Sequence, residues 1–261
     1  MNEAAVYTTG LSAKGALLEE TFATLRQLDA GKSIAEIKQQ VFVDDLLGKD
    51  TNSNRESVWK RIHARYLSDA PRARVLARMA THAPDAQTAR LVLFYEFCRA
   101  NPLLRDITRA CIYPRYAAGF VGVDKALIQQ YLDDVTGAHP EIASWSPQTR
   151  AKIVSNSLSI LRDFGLLEGV QRKQFARLYV PLPAFVYALY RMVEDGLTTP
   201  AALIAAEDWR VFLLAPADVI ALLDEAAALG HCTFKHQGDV YTLDFAYPSL
   251  EVCVAHLTRE I

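Results

Sequence analysis

The sequence predicts a mainly α fold in two helical parts. The first carries a helix-turn-helix-like segment, and the second is winged-helix-like with short β-hairpins. Three observations predict this. Apolar residues recur near a 3.6-residue period through most of the 261 residues. Capping residues, glycines and prolines punctuate those runs. Strand-like alternation is confined to short pieces of the second half. The length suits one large domain or two small ones, and the boundary is placed at Gly119-Phe120-Val121-Gly122, giving parts 1–121 and 122–261. No internal repeat or low-complexity segment appears.

In chain order, Leu11, Leu17, Leu18, Phe22, Leu25 and Leu28 trace the apolar face of a first helix, Leu11 to Leu28. Asp29 to Lys32 is a turn, and Ser33 can cap a second helix from Ile34 to about Leu47, stopped by Gly48. After a polar turn, Ser53 with Glu56 forms a capping-box pattern for a third helix ending near Leu67. Helices are expected over Arg72–His82, Asp85–Arg99 and Pro102–Ala118, then from Asp124 to about Val135. Ser146-Pro147 starts another, with proline in the first helical position, and Gly165 suits its left-handed stop after Phe164. Val170 to Val180 reads as a short hairpin, followed by helices over Pro183–Glu194, Ala201–Ala206 and Ala217–Leu229. Cys232–His236 and Val240–Phe245 alternate around Gln237-Gly238-Asp239, a second hairpin, and Ser249 opens a final helix to the C-terminus.

Composition removes whole classes of function. With 51% hydrophobic and 22% charged residues the chain is neither disordered nor disulfide-stapled. Its longest charge-free stretch, Leu178 to Tyr190, is short of the roughly 20 residues of a bilayer span and contains Pro181 and Pro183. No signal-peptide pattern opens the chain, so a cytoplasmic location without membrane contact is expected. His231, Cys232, His236, Cys253 and His256 match no zinc spacing, and cysteines in a reducing compartment behave as small hydrophobes, so no metal or other cofactor is expected. G-x-G-x-x-G, G-x-S-x-G and H-E-x-x-H are absent. The adjacent pairs Asp44-Asp45, Asp133-Asp134 and Glu207-Asp208 point about 100° apart on a helix and make no acid–base pair. The expectation is a non-enzymatic protein without a small-molecule substrate.

Charge is partitioned behind the net −2. Residues 51–120 carry 12 basic and 5 acidic side chains, and residues 150–177 carry 6 against 2. Residues 178–261 carry 4 basic and 11 acidic ones. Cationic faces of that kind displace counterions from phosphate. Two helices place such residues opposite an apolar stripe. In the third helix Val58, Trp59, Ile62 and Tyr66 face inward, against Asn54, Ser57, Lys60 and Arg61, with Arg65 at the margin. In the helix from Pro147, Ile153, Val154, Leu158, Leu161 and Phe164 face inward, against Gln148, Lys152 and Asn156. The hairpin after it bears Arg172, Lys173 and Arg177, like the wing of a winged helix. Hydrogen-bonding groups reach base edges and cations hold phosphates, so these eleven residues form the candidate double-stranded-DNA contact set. The second helix-and-hairpin, Ala217–Phe245, is acidic and suits a protein partner better. Two alternatives stay open: a scaffold docking through the acidic C-terminal part, and an RNA-binding protein.

Several segments together resemble the BrxA family of BREX phage-defence systems: Tyr7 to Gly15, Leu46 to Lys49, Leu161 to Gly169, Asp208 to Leu214 and Asp244 to Leu250. They run in order through nearly the whole chain. The resemblance implies a mostly helical, non-enzymatic protein that binds double-stranded DNA and acts beside other BREX proteins. It supplies no residue-level site.

Overall fold

A computed structural model of the chain describes residues 5–259, which are mainly helical with two small antiparallel sheets. Thr9–Ser12 forms a single 3-10 turn, and α1 (Leu18–Asp29) begins at Leu18 rather than Leu11. The cause is local: Leu17 sits in the left-handed region at φ 56, so the chain turns a corner before the helix. Leu11 is fully buried, as its place in the apolar pattern required, but in a separate turn.

α2 (Ile34–Val43) opens with the reciprocal cap of Ser33 and Glu36, at 3.2 and 2.8 Å. It ends before Leu47 because Asp45 takes φ 51, folding Leu47 back into the core. α3 (Asn52–Ile62) is capped by Thr51, whose hydroxyl accepts from the Asn54 N–H at 3.2 Å. The Ser53–Glu56 box does not form; Glu56 pairs with Lys60 instead, at 2.8 Å. A π-helical turn, His63–Leu67, extends α3 and keeps Tyr66 and Leu67 buried. α4 (Ala70–His82) and α5 (Ala86–Ala100) follow, capped by Asp69 and Asp85. α6 (Pro102–Asp106), a π-helical stretch Ile107–Ile112 and α7 (Tyr113–Ala117) complete the run before the glycines.

The segment Gly119–Gly122 leads directly into a sheet. β1 (Gly122–Val123) pairs with β3 (Lys173–Phe175), which pairs in turn with β2 (Leu167–Glu168), giving the order β1-β3-β2. Between β1 and β2 lie α8 (Lys125–Asp134) and α9 (Pro147–Asp163). The hairpin is therefore earlier and shorter than Val170–Val180, and Gly165 turns the chain into it at φ 87. Gly169 is required at the hairpin turn: at φ 84 a Cβ there would stand 2.1 Å from the Arg172 carbonyl oxygen.

α10 (Leu182–Glu194), α11 (Pro200–Ile204), a 3-10 stretch Glu207–Phe212 and α12 (Pro216–Ala228) lead to the β4 (Cys232–Gln237) and β5 (Val240–Phe245) hairpin. α13 (Leu250–Leu257) closes the chain; its expected extension to Glu260 and Ile261 lies outside the described residues. Buried hydrophobics form one continuous cluster, from Tyr7 to Leu257, on both sides of residue 121. Inside it α5 and α10 share a buried polar knot, in which Arg191 and the Tyr187 hydroxyl both donate to Glu96, at 2.7 and 2.9 Å. Among the described residues no helix is long and apolar enough to cross a membrane.

Candidate nucleic-acid interface

α9 buries Ile153, Val154, Leu158, Leu161 and Phe164, as the wheel requires, which leaves Gln148 and Lys152 exposed on its first turns. The β2–β3 turn stands beside it. A cleft of about 570 Å³ separates the two, lined by Ser155 and Ser159 of α9 and by Arg172 and Gln174 of the hairpin. Its remaining wall carries Arg115 of α7, Lys173 of the hairpin, and Asp124 and Lys125 at the start of α8. Lys125, Lys152, Arg172 and Arg177 are exposed and, among the described residues, none forms an ion pair. Lys173 is differently placed. Its ammonium donates to the carbonyls of Gly169 and Val170, at 2.6 and 2.7 Å, and so braces the hairpin turn. Desolvation, then the neighbouring Arg162 charge, holds its pKa below the usual lysine range.

Asn156 does not face solvent. Its amide donates to the Leu11 carbonyl at 2.7 Å, tying the N-terminal segment across α9. The α3 candidates behave similarly. Asn54 accepts from Lys14 at 2.6 Å, and Arg61 folds back onto Ser57 at 3.2 Å. Arg65 donates to the Gly15 and Ala16 carbonyls at 3.1 and 3.2 Å, with its guanidinium 3.8 Å from the centre of the Phe97 ring. Burial lowers its pKa to about 10. Helical wheels assign these side chains to solvent; the segment Tyr7–Leu17 takes up Asn54, Arg65 and Asn156, because Lys14, Gly15, Ala16 and Leu11 run between α3 and α9. The far end of that strap is pinned as well. Tyr7 stacks on His139 at 3.7 Å, and its N–H and hydroxyl donate to Glu141 and Asp106 at 2.6 and 2.9 Å. Of the α3 set only Lys60 is exposed, and it pairs with Glu56.

Much of the remaining positive charge of residues 51–120 is neutralised from within. Arg109 pairs with Glu207 and Asp208, Arg99 with Asp195 and Arg72 with Glu194. The basic segment and the acidic C-terminal third are in part each other's counterions. Around β4–β5, by contrast, Glu225 and Asp239 stay exposed, and Asp224 meets only His236, at 3.5 Å.

No group of three or more His, Cys, Asp or Glu residues could hold a metal among the described residues. Cys232 and Cys253 are buried thiols, and desolvation raises them to about 11 and 12. Arg115 and Lys125 are the cleft residues that sequence reasoning missed. No local pattern could have found them, since only the pairing of β1 with β3 brings them beside the hairpin.

The model of the BrxA family matches residues 5–188. Among curated proteins none matches the chain. A crystal structure of an uncharacterised protein from Magnetospirillum magneticum is similar in fold, with a TM-score of 0.61 at 16% identity, over 80% of this chain and 98% of that one.

Proposed function

Since the chain belongs to the BrxA family, which ties it to BREX phage defence, we propose that it is a non-enzymatic, cytoplasmic protein that binds double-stranded DNA. In this reading α7, β1, α8, α9 and the β2–β3 hairpin form a winged-helix unit. The N-terminal turn of α9 enters the major groove and the hairpin lies along the backbone. Residues 1–121 carry a helix-turn-helix-like segment at α2–α3 and residues 122–261 carry the wing, the two parts being joined through α7 and one continuous core. The observation that carries the reading is that Lys125 and Arg172, exposed and without ion pairs among the described residues, line one cleft with Arg115 and Lys173 against a single carboxylate, Asp124, while Lys152 on α9 and Arg177 after the hairpin are exposed and unpaired as well. Gln148 supplies a hydrogen-bonding group for base edges.

Fluorescence anisotropy with labelled duplex DNA at several salt concentrations tests it. Affinity falls with salt with a log–log slope of about −0.9 per phosphate contacted. Lys152→Glu with Arg172→Glu weakens binding roughly ten-fold or more and flattens the slope by about two such contacts, with an unchanged melting curve. Normal binding by that double variant overturns the assignment. Competition by duplex RNA at equal strength would move it to RNA.

A second reading rests on the acidic hairpin unit. Asp224, Glu225 and Asp239 surround β4–β5, whose tip residue Val240 is exposed, and phosphate would be repelled there. Other BREX proteins are the proposed partners of that face. Asp224→Lys with Glu225→Lys reduces their recovery in pull-downs and leaves DNA affinity intact; unchanged recovery removes the idea.

A further inference from the structure

Beside the basic cleft lies a second surface, aromatic and apolar where the cleft is cationic. Phe120 and Val121 enter the sheet edge with 52% and 67% of their surface exposed, and Tyr116 stands next to them at 38%. Large apolar side chains clustered at the surface call for an occupant. The groove beneath them, about 370 Å³, is lined by Ala110, Pro114, Leu127 and Tyr131, with Gln130 and the carboxylate of Asp134 in its wall. Arg115 is the wall shared by this groove and the basic cleft. Its Nε donates to the Gly122 carbonyl at 2.8 Å, and its guanidinium lies 4.2 Å from the centre of the Phe120 ring. The ring and the guanidinium form a fixed, flat, cationic platform, half open to solvent.

Flat aromatic and guanidinium faces beside a cationic backbone channel suit nucleobases whose own faces are free. Paired bases inside a duplex are stacked on one another and offer no such face. Charge argues for nucleic acid over an apolar peptide, because the cleft that shares the Arg115 wall carries Lys125, Arg172 and Lys173 against the single carboxylate of Asp124. We propose that Phe120 and Arg115 stack an unpaired DNA base at the end of a duplex held in the α9–hairpin cleft, so that the protein prefers duplex carrying a single-stranded flap. This inference rests on the DNA-binding reading above.

Three labelled DNAs separate the two: a blunt duplex, the same duplex with a short single-stranded flap, and that flap made of abasic residues. The abasic flap keeps the phosphates and lacks the bases. The base-bearing flap binds roughly ten-fold more tightly than the abasic one, the size expected for a base on an aromatic ring. Phe120→Ala and Phe120→Leu each erase that difference and leave blunt-duplex affinity unchanged, whereas Phe120→Trp keeps it. Equal binding of both flaps, with the blunt duplex still bound, overturns the platform alone. No binding of any DNA overturns the DNA reading and the platform with it. If Phe120→Ala instead lowers the sedimentation coefficient, the face joins copies of the chain and the inference falls.

Discussion

The two basic stretches of the chain look alike in sequence and differ in what their charges do. In residues 51–120 many cations are answered inside the protein, Arg65 by backbone carbonyls and Arg99 and Arg109 by carboxylates of the C-terminal third, while Arg74, Arg78 and Arg90 are exposed without an ion pair among the described residues. In residues 150–177 Lys152, Arg172 and Arg177 protrude without a counterion. A cluster of positive charge in sequence thus has two structural outcomes, internal glue or cations left facing solvent. What separates them is whether acidic residues far away in sequence fold against it.

Substitutions can break or sharpen that comparison. The largest effect is expected at Glu96, the carboxylate of the first stretch that answers Arg191. Glu96→Ala leaves the buried Arg191 Nε and the Tyr187 hydroxyl without their acceptor, with Glu194 still holding Arg191 Nη1, and costs about 3 kcal/mol. Denaturant melts check this, and duplex affinity under native conditions is unchanged. Arg65→Ala is next, at about 2 kcal/mol, since it removes two hydrogen bonds to the strap and the packing on Phe97. Hydrogen exchange around Gly15–Leu18 then rises.

Thr51→Ala costs about 1 kcal/mol as a lost N-cap, whereas Ser53→Ala costs close to nothing; thermal melts that reverse this order would restore the Ser53 box. Reversing Lys60 and Arg61 together changes duplex affinity by about three-fold at most, because one is paired and the other folded back. A loss as large as that for Lys152 with Arg172 would erase the distinction between the stretches.

The smallest effect is a pH dependence outside both. Burial, then the charge of His256, lowers the pKa of His231 below 6.5. The unfolded chain then binds more protons than the folded one in mildly acid solution, so stability declines as pH falls through 6.5. Comparison of urea midpoints at neutral and mildly acid pH checks it, and His231→Gln flattens the difference.

Much of the fold was legible locally. Caps at Ser33 and Ser146, the stop at Gly165 and the apolar stripe of α9 depend on neighbours within a turn, where propensity and burial agree. Two misread helix ends share a source. Leu17 and Asp45 adopt left-handed backbone that no glycine announces, so α1 starts late and α2 stops early. Each segment displaced in this way is held by partners distant in sequence. The candidate site shows the same limit. Gln148, Lys152 and Arg172 were readable from helix phase and hairpin position, and they are exposed. Asn156 has the same phase and polarity, yet it holds Leu11.

The sequence by itself determined the mainly helical class, the inward faces of α3 and α9, and the separation of acidic from basic segments. Periodicity and net charge are properties of contiguous residues. Tertiary structure alone decided which polar faces meet solvent, which arginines meet carboxylates, and that Arg115 and Lys125 join the hairpin. Those outcomes depend on contacts between segments tens of residues apart, as when β1 pairs with β3 and the strap crosses α9. A helical wheel assigns a side chain to the outside of its helix; only packing determines whether that outside is water.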